Sequence, residues 1–296
     1  MSYEGLTPTK FGRVQSVAPM QLDRLHVAAP PATLKEVSWT VPIPVLDQED
    51  LLRQGINTAT LVPGAQKVDA LGSCTANAGT AHLAERWTAA GRDLADIQVQ
   101  GAAHRMYGPG AVAALGLLSA TDAADDEEFA ILLYHLVTDQ TGDPGSEWPP
   151  VDAGSSGYYV CTELEKQGLA HTYKTGSGVL GALSLLQSGT VMQGAPWFNA
   201  WFRPDAQGFV DGDGSADALQ AALDSGVAGG HETLQTGISQ LAVTSTGQVD
   251  LQSTVIEIRN SWSASWGLAG SYRIHASTLD YLAAYADYKA IVATAA

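Results

Sequence analysis

The chain is expected to be an α+β protein, with a helical lobe followed by an antiparallel β lobe. Three observations predict this. Segments with helical spacing of apolar residues lie between residues 74 and 186, whereas extended segments dominate from residue 191 onward. With 296 residues, 45% of them hydrophobic, the chain can bury the core of one large domain or two tightly joined lobes. Helices in one run and strands in the next favour separate α and β layers, and no internal repeat points elsewhere.

Residues 1–40 carry scattered prolines, Pro30 and Pro31 among them, and no sustained period. They are read as an extended arm or pro-segment-like extension, with residues 41–296 as the main domain. Leu51–Ile56 is expected as a short helix after Asp47. From Cys74 to Ala90 small residues come first, then Leu83 and Trp87 four apart on one helical face. The segment Ala124–Val137 opens on Asp125, Asp126, Glu127 and Glu128 before an apolar run. Acids there suit the positive end of a helix dipole, so this cluster is read as a helix start and not a metal site. A Gly/Pro-rich loop spans Thr141–Gly157; helices are expected over Gly157–Gly168 and Leu180–Leu186. Extended segments are expected over Val191–Phe202, Leu234–Thr244, Val249–Arg259 and Gly270–His275.

Composition narrows the partners. Fifteen Lys and Arg against 31 Asp and Glu give a formal net charge of -16. Such a chain repels phosphate backbones and matches anionic lipid poorly, so neither nucleic acid nor a membrane is an expected partner. No apolar run is long enough to cross a bilayer, and the amino terminus lacks the basic and apolar regions of a signal peptide. Two cysteines, Cys74 and Cys161, fit a cytoplasmic or particle-associated protein better than a disulfide-stapled one.

Three segments carry chemistry. In Leu71-Gly-Ser-Cys-Thr-Ala-Asn-Ala78 a cysteine opens a helix, where free N–H groups and the dipole stabilise a thiolate. The small residues before it let a substrate carbonyl approach, and the Cys74 N–H can act as an oxyanion donor. In Gly229-Gly-His231 a histidine follows paired glycines into a strand, suited to a general base facing another lobe. In Arg259-Asn-Ser-Trp262 the Asn260 side chain can accept from the histidine ring and fix its tautomer, with Trp262 shielding that bond from water. Each has an ordinary alternative: a buried helix-start cysteine, a loop histidine, core tryptophans. Two other candidates are set aside. Asp211-Gly-Asp-Gly-Ser-Ala-Asp217 lacks the glycine and closing glutamate of a calcium loop, so Ser215 is read as a helix cap. Cys161 is read as a small core residue, as is the aromatic group Trp197–Phe202.

Taken in their order Cys, His, Asn, these segments resemble the papain superfamily of cysteine peptidases, in its bacterial and viral branch. Asn260-Ser-Trp262, then Trp266-Gly267 and Gly270-Ser-Tyr272, is similar to the family's signature, and the 157 residues from Cys74 to His231 and 29 from His231 to Asn260 fit it. Leu133-Tyr134 and Asp152-Ala-Gly-Ser-Ser-Gly157 resemble the family's helix and acidic Gly-Ser segment. The resemblance spans about residues 40 to 290. It implies a two-lobed fold, a helical lobe beside a barrel-like antiparallel β lobe with the cleft between them. It also implies a peptidase domain over 41–296 and peptide-bond hydrolysis through a Cys74 thioester, with His231 as base and Asn260 as orienter. The partner would be a protein or peptide, peptidoglycan peptides included, and no metal or organic cofactor is needed.

Departures from the pattern define a second reading. The family places an oxyanion glutamine six residues before the nucleophile; here that position is Val68. Gln66 is the nearest candidate, while Gln48 in Asp47-Gln48 resembles the expected pair but sits far upstream. Ser263 replaces a glycine, and Leu71 stands where a disulfide cysteine often occurs. The last change agrees with a reducing or non-secretory setting, whereas Val68, the arm and the acidic, Ala/Gly-rich composition point to a catalytically weak or inactive papain-like fold. Such a chain would bind or build a larger assembly, a bacteriophage tail or capsid for example, contacted through residues 1–40.

Overall fold

The computed structural model describes residues 25–26, 29–99, 118–119, 121–138 and 146–293. Most of the arm expected over 1–40, namely 1–24 and 27–28, lies outside these residues, as does 141–145 of the Gly/Pro-rich loop.

The helical part holds α1 (Thr58–Leu61), α2 (Cys74–Ala89), α3 (Ala123–Thr138) and α4 (Gly157–Lys166). The last three match the expected helices within two residues at each end. Gly79 in α2 faces α4 so closely that a Cβ there would collide with Val160, which explains why small residues line the first half of α2. Leu83, Phe129, Leu133 and Val160 join in one buried cluster between these helices and the sheet. The short helix expected over Leu51–Ile56 is instead a run of turns. Leu51 N–H donates to Asp69 O at 2.8 Å, a contact from outside the segment, and Gly55 adopts φ 83°, which stops helix growth.

The strands are β1 (Leu25–His26), β2 (Val37–Ser38), β3 (Ala170–Gly176), β4 (Val191–Phe198), β5 (Val227–Gln240), β6 (Val255–Arg259), β7 (Ser271–His275) and β8 (Asp287–Ala293). They form an eight-stranded sheet in the order β1-β3-β8-β4-β5-β6-β7, with β2 paired to β5. All neighbours are antiparallel except β1 and β3. The barrel-like closure expected of this lobe needs correction, because the sheet is open. Its β7 edge is covered by a loop, with Arg273 N–H donating to Gly208 O at 2.8 Å and Val210 N–H to Arg273 O at 3.2 Å. An edge covered by a loop has no strand-pairing groups left with which to close a barrel.

Helices α5 (Gly178–Leu186), α6 (Ala216–Asp224) and α7 (Ala276–Tyr281) complete the fold. Ser215 caps α6 through its hydroxyl, which accepts from Ala218 N–H at 3.2 Å. Asp211 accepts from His275 N–H and the Thr278 hydroxyl, so its carboxylate serves a buried structural junction. The expected strand over Val191–Phe202 ends at Phe198, where Asn199 N–H turns to Gly226 O and residues 199–202 form a 3-10 turn. A second buried cluster, with Trp197, Trp201, Trp262 and Tyr272, lies under α5 and α7. The described residues of the amino-terminal segment pack on this lobe. Leu34 enters the cluster, Trp39 Nε1 donates to Leu186 O at 2.7 Å, and Val37 pairs with Ile238.

Candidate active site

Cys74 is the first residue of α2, so its N–H belongs to the first turn, whose donors lack intrahelical partners. It is fully buried and forms no disulfide. The preceding loop is held from two sides. Leu71 N–H donates to Gln48 O at 3.1 Å, and Gln48 Nε2 donates to Leu71 O at 3.1 Å. From the other side Gly72 N–H donates to Asp152 Oδ2 at 2.8 Å. Ser73 N–H then turns back to Leu71 O at 2.8 Å, which aims the chain into the helix.

His231 lies on β5 and is buried. One ring nitrogen, Nε2, lies 2.7 Å from Asn260 Oδ1, a geometry that assigns the proton of that nitrogen to the Asn bond. Asn260 follows the end of β6, where its own N–H donates to Gly270 O at 2.8 Å. The Trp262 ring stacks on the imidazole at 4.7 Å and 19°, and Trp197 meets it edge-on at 5.1 Å. Burial is the main cause that pushes His231 down to about 4, and the Asn260 bond opposes it. The ring is therefore a neutral imidazole at pH 7, able to accept a proton.

The helix and the strand meet. A small interior pocket is lined by Asn77 and Ala78 of α2, Glu232 and Thr233 of β5, and Asn260 and Ser261. Cys74 lies one turn before Ala78 on α2 and His231 one residue before Glu232 on β5, so both residues stand on elements that border this junction. His231, Asn260 and Trp262 thus form one hydrogen-bonded and stacked group.

Gln66 lies elsewhere: its side chain is exposed, and its carbonyl accepts from the Thr58 hydroxyl at 2.5 Å. The glutamine beside the nucleophile loop is Gln48. It is fully buried, its Oε1 accepts from the Ser261 hydroxyl at 2.6 Å, and its N–H donates to Ser261 O at 3.1 Å. Residues 49–70, with the turns and α1, loop out between Gln48 and the Cys74 loop, and Val68 belongs to that excursion. Counting back from the nucleophile misses Gln48; the Asp47-Gln48 dipeptide is the signal that finds it.

Glu127 was legible only as part of a helix start. It is buried, its carboxylate accepting from Asp47 N–H at 2.9 Å and from Asn77 Nδ2 at 2.8 and 3.0 Å. It therefore ties the Gln48 segment to the helix of Cys74. Burial pushes its pKa up to about 7. Among the described residues no group of three or more His, Cys, Asp or Glu could hold a metal ion, and no helix is long and apolar enough to cross a membrane.

No protein-family model and no curated protein sequence matches the chain. Solved structures do. Xylellain, a cysteine protease from Xylella fastidiosa, aligns with 99% of this chain over 100% of its own, at 16% identity and a TM-score of 0.52. The chain has the papain-like fold. A procathepsin L2 proteinase from Tenebrio molitor larval midgut aligns with 98% of the chain over 80% of its own, at 12% identity and a TM-score of 0.47. Procathepsin B from Trypanosoma congolense covers 95%, at 10% identity and a TM-score of 0.46.

Proposed function

We propose that the chain is a cysteine-dependent peptide-bond hydrolase. The observation that supports this most is the His231–Asn260 bond of 2.7 Å under Trp262, on the strand facing the helix that opens at Cys74. In this reading Cys74 Sγ gives its proton to His231 Nδ1 and attacks the carbonyl carbon, while Asn260 holds the ring by Nε2. The carbonyl electron pair moves to oxygen, which accepts from Cys74 N–H and Gln48 Nε2. That pair returns, the C–N bond breaks, and the amine leaves with the proton from His231. Water, deprotonated by His231, then adds to the thioester and expels the thiolate, releasing the acid. The substrate is a protein or peptide, and residues 41–296 are the catalytic domain. The test is hydrolysis of dye-quenched casein and of cross-linked peptidoglycan peptides. Activity in the wild type and none in Cys74→Ala supports the proposal, and unchanged turnover in Cys74→Ala sinks it.

The second reading, a catalytically silent scaffold that binds a larger particle, draws on the full burial of Cys74. A nucleophile must be reached by its substrate. Copurification with an assembly, together with a Cys74 inert to alkylating agents, supports that reading.

A further inference from the structure

We propose that Asp152, acting with the Tyr134 hydroxyl, is a positioning residue that sets the oxyanion side of the nucleophile loop; this rests on the peptidase reading above.

Asp152 sits in the loop before α4 and touches two other elements with its two carboxylate oxygens. Oδ2 accepts from Gly72 N–H at 2.8 Å, and Oδ1 accepts from the Tyr134 hydroxyl at 2.6 Å. Tyr134, fully buried in α3, in turn accepts from Gly154 N–H at 2.9 Å. Gly154 N–H, the Tyr134 hydroxyl, the Asp152 carboxylate and Gly72 N–H thus form one chain of hydrogen bonds across three elements. The donors converge on the Asp152 carboxylate, Gly154 N–H through the Tyr134 hydroxyl from one side and Gly72 N–H from the other, so its charge strengthens the bonds on both sides. Burial, and then the Asp152 charge, holds Tyr134 well above its ordinary value, and it stays a donor at any working pH. The Cys74 charge bears on the same hydroxyl, which places the chain within electrostatic reach of the nucleophile.

The point of attachment makes this more than packing. Gly72 is two residues before Cys74, and Leu71 is already held by Gln48 from the opposite flank. Two successive residues are thereby clamped between a glutamine and an aspartate, leaving the peptide into Cys74 little freedom. That peptide carries the Cys74 N–H, the backbone donor to the oxyanion. No disulfide supplies this restraint, because Cys74 and Cys161 are both free. A misplacement of the order of 1 Å in such a donor can lower a rate by about 10²-fold.

The test separates attack by sulfur from stabilisation of the oxyanion. Iodoacetamide reads the thiol alone. A peptide aldehyde reads both, since its C–S bond forms as the carbonyl pair moves to oxygen, and His231 returns the proton. In Asp152→Ala the iodoacetamide rate should stay within about twofold of wild type, while aldehyde affinity and casein turnover fall about tenfold or more. Asp152→Asn keeps an acceptor for Gly72 and should recover most of the loss. Parallel loss of both reactivities together with the melting temperature would overturn the proposal in favour of a merely structural role. Unchanged aldehyde affinity in the Ala variant would overturn it as well. A wild-type Cys74 inert to both probes would instead sink the peptidase reading and this proposal with it.

Discussion

The two sides of the candidate site are held in different ways. Around His231 the restraint is aromatic: Trp262 stacks on the imidazole at 4.7 Å and Trp197 meets it edge-on at 5.1 Å, with Tyr272 backing Trp197 at 5.4 Å in the same buried cluster. Around Cys74 the restraint is a set of discrete polar pins from Gln48, Asp152, Asn77 and Glu127. Aromatic packing does not titrate and excludes water from one bond. Polar pins fix backbone direction but place carboxylates in low dielectric, and their strength depends on protonation. The base side should therefore respond to changes in volume, the nucleophile side to changes in charge.

The sharpest way to break this contrast is to remove the base. His231→Ala should lower hydrolysis by about 10³-fold or more, through loss of proton transfer and of thiol activation together. Residual turnover near wild type would show that another group serves as base. Gln48→Ala should come next, with kcat reduced about 10²–10³-fold, as for the loss of one oxyanion donor. Gln66→Ala should leave kcat within about twofold, because its side chain is exposed and the Thr58 hydroxyl bonds its backbone carbonyl. Equal losses in the two variants would refute the assignment of Gln48. On the aromatic side Trp197→Ala should destabilise the fold by about 3–5 kcal/mol in denaturant melts, the usual range for a buried tryptophan. A loss below about 1 kcal/mol would mean the cluster is not what holds His231.

The smallest effect concerns pH. In the folded chain burial raises Glu127 from 4.5 to about 7, so the folded state holds more protons than the unfolded one between those values. The carboxyl's contribution to stability is complete below about pH 4.5 and is lost as pH rises through about 7. Glu127→Gln cannot ionise, so its melting temperature relative to wild type should improve from pH 4.5 to 8. A constant difference across that range would show that Glu127 is already charged in the fold at low pH.

The sequence made the helices of the first lobe legible because their signals are local. Acids at Asp125–Glu128 precede an apolar run, and small residues follow Cys74. The fold as papain-like was legible from the ordered Cys, His and Asn segments. The local reading failed where distant partners decide. Leu51–Ile56 carries apolar residues but is turned by Asp69 and Gly55. β3 and β8 were not foreseen; in Ala170–Gly176 and Asp287–Ala293 polar and apolar residues mix, and the pairing joins segments more than 110 positions apart. Gln48 is recognisable by the Asp47-Gln48 pair but is passed over for Gln66 for the same reason. Its place is fixed by Leu71 and Ser261, the latter 213 positions away, and not by its distance in sequence from Cys74.

The central claim is that Cys74 and His231 work as a pair, and the pH dependence of Cys74 alkylation tests it most directly. The wild-type chain should label rapidly well below the ordinary thiol pKa of about 8.5, and His231→Ala should lose that acid-side reactivity. Labelling that follows an ordinary thiol in both chains would contradict the pairing and leave the papain-like fold without its chemistry.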